Sequence, residues 1–155
     1  MKIQLKLLLL CLAIPLFIGF LSSTLIKQDT ALYSSLTLPP LAPPSIVFPI
    51  VWTILYILMG VSCYLIVTSN HFDSKQALSF YALQLLLNFL WSPIFFHFQR
   101  YGIAFVILLF LILIVFLIIK SFYPISPLAA ILQLPYFIWL TFAAYLNLGI
   151  ILLNK

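Results

Sequence analysis

The sequence predicts an all-α integral membrane protein, a five-transmembrane-helix bundle with a proline-rich first loop. Of its 155 residues, 66% are hydrophobic and only 6% are charged, whereas a soluble domain carries about a quarter charged residues. A chain this short cannot bury so much apolar surface in its own core, so lipid has to cover much of it. Five apolar blocks of spanning length are separated by short polar breaks, so we expect residues 1–155 to form a single domain.

The first block, Leu5–Ile26, follows a basic start and is followed by small residues. This pattern is also typical of a secretory signal peptide. We interpret the block as a retained helix because its apolar run is long enough to span a bilayer. Pro15 and Gly19 would bend this helix and allow a neighbour to pack closely against it.

The other four blocks cover residues 45–68, 76–98, 102–122 and 127–153. Short connections make successive helices antiparallel neighbours, and five spans place the termini on opposite sides of the membrane. We name the N-terminal side "side A" and the other "side B".

The basic residues stand singly at block edges, which is typical of helix anchors and not of a nucleic-acid surface. Their division between the two sides is too even to predict the orientation of the protein in the membrane. Side A receives Lys2, Lys6, Lys75 and Lys120, and side B receives Lys27, Arg100 and Lys155.

The loop between the first two spans contains LPPLAPPSIVFP, residues 38–49, with five of the ten prolines of the chain. Proline fixes φ and lacks an N–H, so this segment should be stiff and extended and should not form a further helix. It lies on side B, the side nearest to Trp52 and Trp91. We predict a semi-rigid lid over a pocket; a plain spacer is the alternative.

Acid–base catalysis is poorly supported by the composition. Asp29 and Asp73, the only carboxylates, fall on opposite sides of the membrane, and so do His71 and His97. No carboxylate pair, metal cluster or nucleophilic triad can therefore assemble within one chain. The two cysteines lie inside apolar blocks and are interpreted as small buried hydrophobic residues.

Three spans carry aromatic and amide side chains along one helical face. Because an amide that faces lipid has no hydrogen-bond partner, these faces should point into the bundle. Interior packing with amide hydrogen bonds between helices would explain them, and so would a flat aromatic pocket. The faces consist of Phe48, Trp52 and Tyr56; of Gln84, Asn88, Trp91 and Phe95; and of Tyr136, Trp139, Ala143 and Asn147.

Three motifs, in order, resemble those of the translocator protein family (TspO, peripheral benzodiazepine receptor), and the likeness extends over essentially the whole chain. The loop motif is Tyr33, Leu36, Pro39, Pro43, Pro44, Phe48, Trp52, Leu55 and Tyr56. The third-span motif is Gln84, Leu85, Asn88, Trp91, Ser92 and Phe95. The fifth-span motif is Pro135, Tyr136, Trp139, Phe142, Ala143, Leu146 and Asn147.

The chain departs from the family pattern in three places. Leu38 stands where a basic residue is frequent, and Leu41 stands where an aromatic residue is frequent. The cholesterol motif of animal members needs a base within five positions of a tyrosine, but the first base after Tyr145 is Lys155. Cholesterol is therefore not favoured as the native ligand.

The resemblance implies a multi-pass protein of a bacterial cell membrane that binds porphyrins and other flat hydrophobic ligands among its helices. It also implies a homodimer and no required cofactor. Bacterial relatives are associated with light-dependent porphyrin breakdown, for which Trp52 and Trp139 would be the photochemical residues. The ligand contacts implied by position are Tyr33, Trp52, Tyr56, Asn88, Trp91, Trp139 and Ala143.

Three functions therefore remain open at the level of sequence. The first is a tetrapyrrole-binding sensor or carrier. The second is a protein that degrades porphyrin under light. The third is a structural or partner-regulating membrane protein with an incidental pocket.

Overall fold

A computed structural model describes residues 3–26 and 30–155. The predicted anchors Lys2 and Lys27 and the loop residue Asp29 lie outside the described residues. The described chain is helical and contains no strand. Its helices are α1 (Leu5–Ile26), α2 (Thr30–Ser35), α3 (Val47–Val67), α4 (Ser74–Phe96), α5 (Tyr101–Phe122), α6 (Pro127–Ile131) and α7 (Leu134–Leu153).

The predicted membrane architecture is confirmed: α1, α3, α4, α5 and the α6–α7 pair are long and apolar enough to cross a bilayer. The fourth span, α5, illustrates how one helix meets both protein and lipid. Its inward side chains are fully buried, while those on its other face are about half exposed and cover the outside with hydrocarbon. The inward set is Leu108, Leu111, Val115 and Ile118, and the outward set is Leu109, Phe110, Leu113 and Phe116.

The spans pack as a ring in which α1 lies between α3 and α4, α4 packs on α5, and α5 packs on α7. Gly60 allows α3 to approach α1, because a Cβ there would lie only 2.8 Å from the Cys11 carbonyl oxygen and the Leu12 Cα. Cys11 and Cys63 are buried at this contact as free thiols, as predicted. Close backbone approach at small residues is the usual way in which helices associate in lipid, where apolar burial alone gives little driving force.

The fifth span covers Pro127–Leu153, as the sequence predicted, but it contains a break that the sequence analysis did not predict. It turns at residues 132–133, between α6 and α7. Pro135 has no N–H to bond the carbonyl of Ile131, so the helical ladder cannot run through this point. Gln133 anchors the turn by donating from Nε2 to Ser62 Oγ (3.0 Å), and the Ser62 hydroxyl donates to the Ala129 carbonyl (2.7 Å).

The proline-rich loop is seated on the side-B end of α7. Thr37 and Asn154 exchange two hydrogen bonds of 2.8 and 2.9 Å, and the Tyr145 hydroxyl donates to the carbonyl of Pro40 (2.6 Å). Pro39 lies against Gly149, where a Cβ would stand 2.6 Å from the proline ring. The stiff segment is therefore a strap held to α7. The sequence also did not predict α2, the short helix that precedes it.

Candidate functional site

The three predicted faces point into the bundle. Gln84, Asn88 and Tyr136 are at most 2% exposed, and Phe95 and Ala143 are also buried. Asn147 bonds the first turn of α5: with its amide oriented to satisfy both atoms, it donates to the Tyr101 carbonyl (3.0 Å) and accepts from the Phe105 N–H (3.2 Å). The amides are thus placed where protein groups, and not lipid, surround them.

A buried hydrogen-bond network joins α3, α4 and α7 at the centre of the bundle. The Tyr56 hydroxyl donates to Asn88 Oδ1 (3.2 Å), and Asn88 Nδ2 donates to the Tyr136 oxygen (2.8 Å). The Tyr136 hydroxyl in turn donates to Gln84 Oε1 (2.9 Å). Each tyrosine hydroxyl and each amide restrains its neighbours, so the network fixes the orientation of the Tyr56 ring.

Beside this network lies a cavity of about 600 Å³, which we call the aromatic cavity. Its walls come from α1, α2, α3 and α4 and from the end of the proline-rich loop, at Ser45 and Ile46. Small-molecule sites typically occupy about 300–1,000 Å³ and are mostly apolar with a few polar groups. The residues that line it are Leu16, Gly19, Phe20, Ser22, Ser23, Tyr33, Ser45, Ile46, Phe48, Pro49, Trp52, Thr53, Tyr56, Trp91, Ser92 and Phe96.

Trp52 is the centre of the aromatic contacts at this site. Its ring stacks on Tyr56 with centroids 5.5 Å apart, and it lies 6.5 Å from the ring of Trp91. It also meets the edge of Tyr136 at 6.0 Å. Such contacts hold the indole at a defined angle in the wall, which suits a flat hydrophobic ligand.

Four of the seven ligand contacts expected from the sequence line the aromatic cavity: Tyr33, Trp52, Tyr56 and Trp91. Asn88 stands one hydrogen bond behind the wall, through Tyr56. Burial raises the pKa of the Tyr33 phenol, so at neutral pH this hydroxyl remains a donor, and it bonds the Pro43 carbonyl (3.1 Å).

Trp139 and Ala143, the other two expected contacts, are not part of this wall. The ring of Phe48 meets Trp139 edge-on at 5.9 Å and is the cavity-lining member of the pair. Ala143 borders a separate recess of only about 20 Å³, which is too small for a flat macrocycle. Both residues therefore lie behind the first layer of side chains.

The wall contributed by α1 was missed by the sequence reasoning. None of Leu16, Gly19, Phe20, Ser22 and Ser23 was expected at the site, yet all line it. The signal available was the glycine followed by three small polar residues at positions 22–24, which is unusual inside an apolar span. α1 packs along α3 and α4 and forms part of the cavity wall.

The aromatic cavity is lined by apolar, aromatic and hydroxyl-bearing side chains. Among the described residues that line it there is no Lys, Arg, His, Asp or Glu. Likewise, no group of three metal-ligating side chains occurs within residues 3–26 and 30–155. The His71 and Asp73 side chains face each other at 3.8 Å in the loop on side A, far along α3 from Trp52.

Comparison with known proteins places the chain in one family. A sequence profile of the TspO/MBR family matches residues 10–153. The Tryptophan-rich protein TspO of Chlorobaculum tepidum is 34% identical over 99% of both chains. The Tryptophan-rich sensory protein of Cereibacter sphaeroides is 36% identical over 90% of this chain and 91% of its own.

The sheep Translocator protein (Ovis aries) is 40% identical over 83% of this chain and 79% of its own length. The relatives thus include bacterial and animal proteins, and the family profile begins within the first span and ends at the last residue of the fifth. Together with the five apolar helices, these findings identify a multi-pass integral membrane protein. The chain belongs to the TspO/MBR family.

Proposed function

We propose that this protein binds a porphyrin or a similar flat hydrophobic molecule in the aromatic cavity and acts as a membrane sensor or carrier for it. The observation that carries the proposal is a cavity of about 600 Å³ walled by Trp52, Tyr56 and Trp91. A relative of similar length is named a sensory protein, which supports the sensing role. Since several relatives are bacterial, we also propose the bacterial cell membrane as its location and, from the family resemblance, a homodimeric assembly.

The test is a titration of the purified protein in detergent micelles with protoporphyrin IX, followed by the Soret absorbance shift. Trp52→Ala removes the central ring of the wall and should weaken binding by about 1–3 kcal/mol, which is the range for loss of one stacking surface under a flat base. Leu109→Ala is the matched control, because Leu109 is 48% exposed on the outer face of α5. Equal affinities for wild type and Trp52→Ala would contradict binding at this site.

A second candidate function, light-dependent porphyrin breakdown, is favoured by the contacts of Trp52 with Trp91 and Tyr136. All three side chains are oxidisable, so the indole of Trp52 could donate an electron to an excited macrocycle and later be reduced again by the macrocycle. Overall, one carbon–carbon double bond of the macrocycle and the O–O bond of O₂ would break, and two C=O bonds would form. The protein would supply position, and the ligand and oxygen would supply reactivity.

The decisive measurement is the loss of porphyrin absorbance under fixed light, with and without oxygen. Trp52→Phe and Trp139→Phe should retain binding and slow the loss, the first more than the second because Trp139 lies behind Phe48. If wild type bleaches bound porphyrin no faster than empty micelles do, the protein is a binder only. If it binds no porphyrin at all, a structural or partner-regulating role is favoured instead.

A further inference from the structure

The wall of the aromatic cavity is exposed on one flank only. Every side chain that α2 and α4 contribute to the described wall is buried or half-buried, and so are Trp52 and Tyr56 on α3. The exposed members lie on the second half of α1 and on the segment that ends the proline-rich loop and begins α3. The cavity therefore opens between these two elements, through an opening that we call the lateral mouth. The exposed residues of the lateral mouth are Phe20, Ser23, Ser45, Ile46, Pro49 and Thr53.

The lateral mouth extends into the membrane-spanning segments. Phe20 lies in the first span, Leu5–Leu25, and Thr53 lies in the second, Val47–Val67. Thr53 is six residues after Val47, or about 9 Å along the helix axis at 1.5 Å per residue. A helix of 21 residues is about as long as the hydrocarbon layer is thick. This part of the mouth therefore faces acyl chains and not water.

Two close contacts between α1 and α3 bound the lateral mouth towards side A. Gly19 lies so near Tyr56 that an added Cβ would overlap the tyrosine ring. Further towards side A, Gly60 brings the backbone of α3 against that of Cys11 and Leu12. The opening between the two helices is thus confined to their side-B ends.

The polar side chains of the lateral mouth suit a lipid surrounding. The Ser23 hydroxyl donates to the Phe20 carbonyl and the Thr53 hydroxyl donates to the Pro49 carbonyl, each at 2.7 Å. Such bonds back to the helix satisfy a hydroxyl without water. A flat hydrophobic molecule that passes from lipid into the cavity exchanges one apolar surrounding for another, whereas a path through water would expose its apolar surface.

The proline-rich strap does not cover the lateral mouth. The part of the strap that is bonded to α7, residues 37–40, contributes nothing to the described cavity wall, and neither does α7 itself. Next to the strap, the cavity is covered by Tyr33 of α2, which is buried and donates to the Pro43 carbonyl. A ligand that arrived past the strap would have to displace these bonded groups, whereas the lateral mouth is already open.

We propose that the ligand enters and leaves the aromatic cavity through the lateral mouth, directly from the side-B half of the bilayer, while the strap stays in place. This inference rests on the proposed binding of flat hydrophobic molecules and adds the phase from which the ligand is taken. The route selects uncharged molecules that dissolve in lipid, because no charged side chain stands in the described wall and a charge is costly to bring into hydrocarbon.

The experiment measures rates as well as affinity for protoporphyrin IX dimethyl ester, an uncharged porphyrin, with the purified protein in detergent micelles. Stopped-flow mixing gives the association rate from the Soret shift, and mixing of loaded protein with an excess of empty micelles gives the dissociation rate. Ser23→Trp and Thr53→Trp narrow the lateral mouth from its two sides. The matched controls are Ser79→Trp and Thr141→Trp, because both residues are exposed outside the described wall and their hydroxyls are bonded to their own helices.

A separate variant fixes the strap on α7. Thr37→Cys and Asn154→Cys are joined by a short bifunctional methanethiosulfonate in a background in which Cys11 and Cys63 are replaced by alanine. The two positions already share two hydrogen bonds, so the cross-link holds the strap where it lies. The same variant without the cross-linker is its control, and circular dichroism checks that every variant is folded.

We expect each tryptophan at the lateral mouth to slow both association and dissociation by about 10-fold or more, because a bulky side chain raises the barrier in both directions. The dissociation constant should then change by less than about 3-fold. The two control tryptophans should have the rates of wild type, and cross-linking the strap should leave both rates unchanged.

Unchanged rates in both mouth variants, or slower binding once the strap is cross-linked, would overturn the lateral route while leaving the proposed function intact. Weaker binding of the mouth variants that arises from faster dissociation alone would assign Ser23 and Thr53 to the binding wall and would also overturn the route. If wild type binds no porphyrin ester at equilibrium, the proposed function fails, and the route fails with it.

Discussion

Replacing Gly19 with alanine tests how tightly the cavity wall is packed between α1 and α3. The added Cβ would overlap the ring of Tyr56, lying 2.7 Å from Cδ2 and 3.0 Å from Cζ. Carbon atoms pack favourably at about 3.5–4.0 Å. The methyl group and the ring therefore have to separate by about 1 Å.

Tyr56 has little freedom to make that movement. It is 7% exposed, its ring is stacked on Trp52, and its hydroxyl is bonded to Asn88. Overpacking of this kind costs about 1–3 kcal/mol. Gly→Ala in a helix also contributes up to about 1 kcal/mol of stabilisation through helix propensity. Gly19→Ala therefore destabilises the protein only if the cost of the overlap exceeds this gain.

Gly102→Ala separates the two effects, because no atom lies within 4 Å of the Cβ position at Gly102. We expect Gly19→Ala to be less stable than Gly102→Ala by about 1–3 kcal/mol, measured as unfolding in detergent micelles. The cost should disappear in a Tyr56→Leu background, since the overlapping ring atoms are then absent. If Gly19→Ala is as stable as Gly102→Ala, or if the cost persists without the Tyr56 ring, the close packing inferred at this wall is wrong.

Two further predictions concern the network and the strap. Tyr136→Phe removes one hydrogen bond from each of two buried amides, Asn88 and Gln84, and should lower the stability of the protein by about 1–2 kcal/mol. Tyr123→Phe, at a residue that is 62% exposed, should have no effect, and similar unfolding of both variants would contradict the network. Asn154→Ala removes both hydrogen bonds to Thr37 and should make residues 36–46 more sensitive to added protease. Lys155→Ala is the control variant. Equal cleavage of the two variants would show that the strap does not depend on these bonds.

The sequence alone determined that lipid surrounds much of the protein, how many times the chain spans the membrane, and which faces of three spans point inward. Length and hydropathy are sufficient for spans, because a helix in lipid has to satisfy its backbone internally and present apolar side chains over about 30 Å. The faces of α4 and α7 could be predicted because Gln84, Asn88 and Asn147 cannot face hydrocarbon. The face of α3 carries no amide and was predicted from the helical spacing of its aromatic residues. Four of the seven ligand contacts that the motifs imply line the aromatic cavity, and their contact with a ligand stays a prediction: Tyr33, Trp52, Tyr56 and Trp91.

Only the tertiary structure decided which side chains form the first layer around the cavity. Trp139 shares a helical face with buried Tyr136, but Phe48 from another helix lies in front of it. From the sequence, the proline segment could equally have covered the cavity or the end of another helix. Its position on α7 depends on a hydrogen bond from Asn154, which is over a hundred residues away in sequence. In α1 nearly every residue is apolar, so periodicity cannot distinguish the face that meets lipid from the face that meets protein. Ser22 is buried, and α1 forms part of the cavity wall, only because segments distant in sequence pack beside α1.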